Sequence, residues 1–212
     1  MTFLRFQILI CALWLTSAAA HALETVDGEI GLTLWPNEFR TNALGVGHSD
    51  GALSSFGQAW WSQKWGIRGG MYRSDLDDLE IEDAQYLNFD VERRLFSPAD
   101  DTFFAIGLGV EDIDLGQGLD SRGARFTLDG RAALFGRLSL YGQAAWYPSM
   151  EDVSGFDDIE GREFQAGISY DPAPFFSLRA GFKTIRLDFT DGDGLNNSSE
   201  SKGFHLGGGL RW

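Results

Sequence analysis

The sequence predicts an all-β fold, a single antiparallel up-and-down barrel of ten strands that crosses a membrane, with eight strands as the alternative. Three observations carry this. Apolar and polar residues alternate with a period of two in segment after segment, which puts the two sets on opposite faces of a strand. Short and long connections alternate strictly between those segments. Beyond residue 22 no stretch is apolar for long enough to cross a bilayer as a helix, while 27 glycines suit close-packed sheets better than a helical bundle.

In chain order, Val26 to Trp35 alternates and stops at Pro36. A long connection reaches about Ser55, and Leu53, Ser55, Gly57, Ala59 and Trp61 then oppose Gln58 and Trp60. After a short turn near Lys64 and Trp65, Ile67, Gly69 and Met71 oppose Arg68, Gly70 and Tyr72. These two segments are weak, and the eight-strand alternative treats them as loop. The acidic stretch Ser74–Asp83 is expected to be a loop because its charges cannot stay in a bilayer. Leu87, Phe89 and Val91 oppose Asn88, Asp90 and Glu92, with a turn around Ser97–Asp101. Phe104, Ile106, Leu108 and Val110 follow, against Gly107, Gly109 and Glu111. The clearest alternation is Ala124, Phe126, Leu128, Gly130, Ala132 and Leu134 against Arg125, Thr127, Asp129 and Arg131. A tight turn at Gly136–Arg137 leads to Leu138, Leu140, Gly142, Ala144 and Trp146. A second acidic loop, 148–161, precedes Phe164, Ala166, Ile168 and Tyr170, and Asp171–Pro174 makes a turn. Leu178, Ala180, Phe182 and Thr184 form the ninth strand. A polar loop, 188–202, leads into the last, where Phe204, Leu206, Gly208, Leu210 and Trp212 oppose His205 and Arg211.

The first residues carry Arg5, the apolar run Ile8–Leu15 and the small residues Ala20 and Ala22. This pattern is that of a secretory signal peptide over 1–22, leaving 23–212 as the barrel. Cys11, the single cysteine, lies inside it, so no disulfide or cysteine-ligated metal is expected in the mature chain. The formal net charge of −14 becomes one unit more negative on cleavage, because Arg5 is the one charged residue removed. So acidic a surface, on an exported chain, excludes nucleic acid as a partner.

The closing strand, ending on the aromatic Trp212, resembles the last strand of bacterial outer-membrane barrels, and the mature chain resembles the small OmpX and OmpA transmembrane type. The resemblance implies residence in the outer membrane of a Gram-negative cell and recognition of Trp212 by the barrel-assembly machinery. It also implies contact with outer-membrane lipid and lipopolysaccharide, long loops facing outward and, for a barrel this small, a monomer.

Parity then distributes the charges. Asp27, Glu29, Asp90, Glu92, Glu111, Asp129 and Glu163 fall on the inward parity with Arg68, Arg125, Arg131, Arg179, Lys183 and Arg211, a nearly balanced set expected to form a salt-bridged plug. The apolar parity is expected to face lipid. Arginine at Phe126 or Leu128 should then be damaging, and arginine at Thr127, facing the ionic lumen, tolerated. Trp35, Trp146 and Tyr147 are expected in an outer aromatic girdle, and Trp65, Phe135, Phe175, Phe176 and Trp212 in a periplasmic one.

Essentially all the net charge lies in the long connections. Asp77 and Asp78 in one, Asp157 and Asp158 in another, and Asp191 and Asp193 in Asp191–Glu200 are candidate carboxylates for loop-bound Ca²⁺ or Mg²⁺. Leu195 stands where a calcium loop would place another oxygen. No other cofactor is expected. No catalytic set emerges: His48 has Ser49 and Asp50 beside it, but neighbours in sequence do not make a relay, and His205 has no serine near it. The expected function is therefore a non-enzymatic, porin-like barrel with a structural, envelope-stabilising or surface-binding role. The alternatives are a narrow channel for small solutes, or a lipid A-modifying enzyme such as some small outer-membrane barrels are.

Overall fold

The computed structural model describes residues 26–41, 45–49, 52–61, 64–76, 81–99, 101–114, 120–153 and 155–212, with the backbone alone for 45–49, 74–76 and 81–84. The predicted signal peptide lies outside the described residues. The strands are β1 (Val26–Leu34), β2 (Asn37–Thr41), β3 (Gly45–Ser49), β4 (Leu53–Trp61), β5 (Trp65–Leu76), β6 (Ile81–Ala99), β7 (Thr102–Asp114), β8 (Asp120–Phe135), β9 (Leu138–Tyr147), β10 (Phe156–Ala173), β11 (Phe176–Asp191) and β12 (Asn196–Arg211).

From β4 to β12 each strand pairs antiparallel with the next, and β1 pairs with both β4 and β12, so ten strands close into a barrel. The segments around Leu53–Trp61 and Trp65–Met71 are full members of it, which removes the eight-strand alternative. β2 is the upward continuation of β1. Leu34 opposes Leu206 and Glu38 opposes Lys202, one unbroken register along β12. The interruption falls at Trp35–Pro36, where proline has no N–H to give to a ladder. Gly203 sits against this break, and a Cβ there would run into the Pro36 carbonyl oxygen. At the other end of the seam Gly28 and Trp212 exchange two N–H···O bonds of 3.1 Å, and the indole of Trp212 covers Gly28 where any side chain would collide.

The barrel reverses its polarity along its axis. In the lower part Ile30, Leu32, Leu34, Val91, Leu108, Phe126, Leu128, Leu140, Phe164 and Ile168 are exposed on the outer wall, while Glu29, Glu92, Asp129 and Arg131 are buried within. In the upper part Trp35, Phe39, Tyr72, Tyr86, Ile113, Tyr147, Met150, Ile159, Ile185 and Leu187 form one inward cluster. There the outer wall carries Asp112, Arg122, Glu160, Arg162, Arg186 and Asp188. The cause is the solvent outside: lipid demands an apolar wall, and water allows a charged wall with an apolar centre.

This reversal corrects three expectations. The acidic stretches do not begin where the strands end. β5, β6, β10 and β11 run for 12, 19, 18 and 16 residues, so Asp75, Glu82, Asp83, Asp157, Asp158, Glu160 and Asp188 stand within strands rather than loops, Asp157, Glu160 and Asp188 at paired positions and the others at bulges. Charge keeps a side chain out of lipid, but it does not stop the backbone from pairing above lipid. The connection 36–55 likewise contains the hairpin β2–β3. Trp35 and Tyr147 do not belong to a girdle, because both are wholly buried inside; Tyr147 follows outward Trp146, and neighbours in a strand face opposite ways.

Candidate functional site

The lower and middle lumen is filled by a connected ion network. At its centre is Arg125, with a fully buried side chain. It meets Asp90 at 3.2 Å, Glu163 at 3.0 Å and, closely, Glu111. Tyr147 donates its hydroxyl to Glu163 at 2.9 Å, and Lys183 approaches the other oxygen of Glu163 at 3.1 Å while lying 5.1 Å from the Trp35 ring. One level down, Arg68 pairs with Asp129 at 3.2 Å and donates to Gln143, and Gln58 donates to Asp129 and Glu92. Below these, Glu29 accepts from Ser177 and Arg179, each at 2.5 Å. At the periplasmic end Asp171 binds Arg131 at 2.8 Å and also Arg211, which reaches Asp101 at 2.8 Å. The Arg94 guanidinium lies over both Trp60 and Phe103, 4.1 and 4.5 Å from their ring centres.

All the inward ions predicted from parity belong to this plug except Asp27, which is half exposed at the lower rim but pairs with Arg94 at 3.6 Å. Sequence reasoning missed Arg94, Asp101 and Asp171. Arg94 was findable, since it continues the parity of Asp90 and Glu92. Asp171 was not, because a turn-forming Asp-Pro pair gives no hint that its carboxylate reaches back into the lumen.

The space left is small. Among the described residues, two lumen cavities of about 40 Å³ each share Arg68 and Arg179 in their linings. Each holds roughly three waters. Trp35 Nε1, Glu111 Oε1 and His205 Nδ1, which have no hydrogen-bond partner among the described residues, belong to side chains that border the upper one and are natural contacts for such waters. His205 itself faces the lumen, with Nε2 2.5 Å from the Tyr141 hydroxyl and 3.2 Å from Gln165. The side chains of His48 and Ser49, and all of Asp50, lie outside the described residues.

On the outer wall above the lipid belt, a groove of about 430 Å³ is lined by Asp158, Glu160, Arg186, Asp188, Thr190, Asn196 and Ser198 among others. Of the carboxylates considered for cations, Asp77 and Asp78 lie outside the described residues. Asp191 caps the β11–β12 turn: its Oδ1 accepts the N–H of Leu195 at 2.9 Å and of Asp193 at 3.1 Å, and its Oδ2 accepts from Asn197 at 2.8 Å. The Leu195 N–H, followed by Asn197 and Asp193, holds this carboxyl below its ordinary range. Asp193 is exposed on the same turn, and Asp157 and Asp158 are exposed at the head of β10. Among the described residues no three acids or histidines converge as a metal cluster. At the tip of β7–β8 the hydrogen bond with Asp114, and its charge, raise the Asp120 carboxyl.

No protein-family model matches the chain, and no curated protein does either. Among solved structures, the outer membrane protease OmpT of Escherichia coli superposes with a TM-score of 0.58 at 9% identity, over 89% of this chain and 96% of that one. Ail, the attachment invasion locus protein of Yersinia pestis, gives 0.36 at 13% over 89% and 99%. The Neisserial surface protein A gives 0.35 at 12% over 88% and 97%. The last two scores carry no weight, and the first speaks for the fold alone. Together with the closed strand order and the exposed apolar belt, it identifies the chain as a β-barrel of the bacterial outer-membrane type.

Proposed function

We propose that this protein is a closed, non-enzymatic outer-membrane barrel that acts through its outer wall and rim in an envelope-stabilising or surface-binding role. The observation that carries this reading is the lumen. An ion network fills it from Asp171 to Lys183, an apolar cluster around Trp35, Tyr72 and Tyr147 lies above it, and the cavities among these described residues are about 40 Å³ each, the size of a few waters. His205 hydrogen-bonds with Tyr141 and Gln165, and no serine, threonine or cysteine stands among these partners to be activated. Purified protein reconstituted in planar bilayers should show no resolved conductance steps. Steady single-channel currents would overturn the reading in favour of a channel.

The acidic rim offers divalent cations a diffuse site rather than a formed cluster: Asp152, Asp157 and Asp158 lie along one edge, and Asp188 faces Glu160 across the ladder, these last two already shared with Arg186 and Arg162. Ca²⁺ or Mg²⁺ at millimolar concentration relieves that repulsion by taking several carboxylate oxygens at once. Proteolysis of the upper hairpins should be slower in calcium than in chelator. Identical digestion would leave the rim a merely solvated surface.

A further inference from the structure

The lower of the two lumen cavities, about 40 Å³, is enclosed by side chains from opposite walls of the barrel near its periplasmic end. Inward parity and register bring them to one level. Asp27 on β1 opposes Trp60 on β4, Phe103 on β7 opposes Arg131 on β8, and Arg179 on β11 and Arg211 on β12 complete the ring. Asp27 and Asp101 stand half exposed at its mouth.

Three N–H groups of this lining have no acceptor among the described residues: Nε1 of Trp60, Nε of Arg131 and Nε of Arg179. They come from three separate walls, and Trp60 and Arg131 are only 3% and 8% exposed. A donor shut away from water without an acceptor is costly. The nearby carboxylates are already engaged on both oxygens, Glu29 by Ser177 and Arg179, and Asp129 by Arg68 and Gln58. No buried side-chain oxygen of the lining lacks a partner. A water accepting from two of these donors would still need acceptors for its own two hydrogens. The upper cavity supplies that mixture, since the unpartnered atoms of its lining include both Trp35 Nε1 and Glu111 Oε1. The lower one has donors alone, which suits a species that accepts hydrogen bonds and donates none.

Charge points the same way. The bases largely enclosed at this level are Arg68, Arg94, Arg131, Arg179 and Arg211. The enclosed acids that answer them are Glu29, Glu92, Asp129 and Asp171, one fewer. Asp27 and Asp101 add their charges from the mouth, where water screens them. We infer that this chamber binds a small monovalent anion of the halide class, entering from the periplasm and taken by the N–H groups of Trp60, Arg131 and Arg179. The site goes beyond the closed-barrel reading by giving the plug a member that the chain does not supply. Room for roughly three waters admits a chloride or bromide ion.

The test titrates the folded full-length barrel in detergent with sodium bromide against sodium gluconate at constant ionic strength, gluconate being too large for the chamber. The temperature at which the folded band is lost on heating should rise with bromide, because an ion bound by the native state alone stabilises it. Trp60→Phe removes one donor and keeps a ring, and should raise the bromide dissociation constant fitted to that rise about five-fold. Arg131→Lys keeps the charge and removes Nε, and should raise it about ten-fold. Trp65→Phe, on the outer wall, should leave it unchanged. Crystals grown in bromide should show an anomalous scattering peak within reach of Trp60 and Arg131. Equal midpoints in the two salts overturn the proposal and leave the chamber to water. A bromide peak without stabilisation means binding at crystal concentration only, and overturns it as well, as do folded Trp60 and Arg131 variants with an unchanged dissociation constant. The wild-type midpoints and the peak decide the matter even where a variant fails to fold.

Discussion

Replacing Arg125 by Met should cost on the order of 3–5 kcal/mol, the range for removing one side of a buried ion pair, and should lower the temperature at which the folded band is lost on heating. The size follows from what is left behind. Asp90, Glu111 and Glu163 all lean on this guanidinium, and without it three carboxylates share an enclosed space with Lys183 beside Glu163 and Arg68 on the side of Asp90. The loss is the desolvation of the survivors rather than the worth of the bonds themselves. Adding Glu111→Gln to Arg125→Met should therefore recover part of the stability. An unchanged midpoint for the single variant, or a worse one for the pair, would show that water reaches this layer freely and that the plug is not dry.

Leu128→Arg should reduce folding into lipid vesicles by an amount corresponding to about 2–4 kcal/mol, whereas Leu134→Arg on the same face of β8 should cost about 0–1 kcal/mol. Leu128 lies midway between the outward Ala124 and the periplasmic end of the strand, and Leu134 lies near that end, where a long side chain reaches the head groups. Equal losses at the two positions would put the belt at the wrong height. Thr127→Arg, expected from sequence to be harmless, should also be damaging, but for another reason. Thr127 is buried, and its hydroxyl fills the space a Cβ on Gly107 would need, so an arginine there overpacks the wall instead of joining the network.

That reversal marks where the sequence stops being legible. Alternation reveals which way a residue faces, and it placed Arg125, Glu163, Phe126 and Trp146 without error, because facing is a local property with a period of two. Room is not local. Whether an inward position borders a cavity, as Gln165 does, or is packed shut, as Thr127 is, depends on the opposite wall. Strand ends were misjudged for a related reason. Asp157 and Asp188 looked like loop because they cannot enter lipid, yet the hydrogen-bond ladder is indifferent to lipid and ends where turn chemistry allows, as at the Asp191 cap. For the candidate site, parity found nearly every ion of the plug. The facing of Arg162 and Arg186 across β10 and β11 went unnoticed because it appears when registers are aligned across strands, and sequence alone supplies no register.

The reversal of polarity along the axis also fixes how deep the protein can sit. Sliding inward by a single outward-facing step, two residues or about 7 Å of strand, would carry Arg162 and Arg186 into hydrocarbon. Sliding outward by the same step would strip Phe164 and Phe204 of lipid and hang them in water. Both displacements climb steeply, so the molecule behaves as a gauge of fixed draught. A membrane thicker or thinner than its belt has to stretch or thin around it, and neighbouring lipids will be sorted by length accordingly.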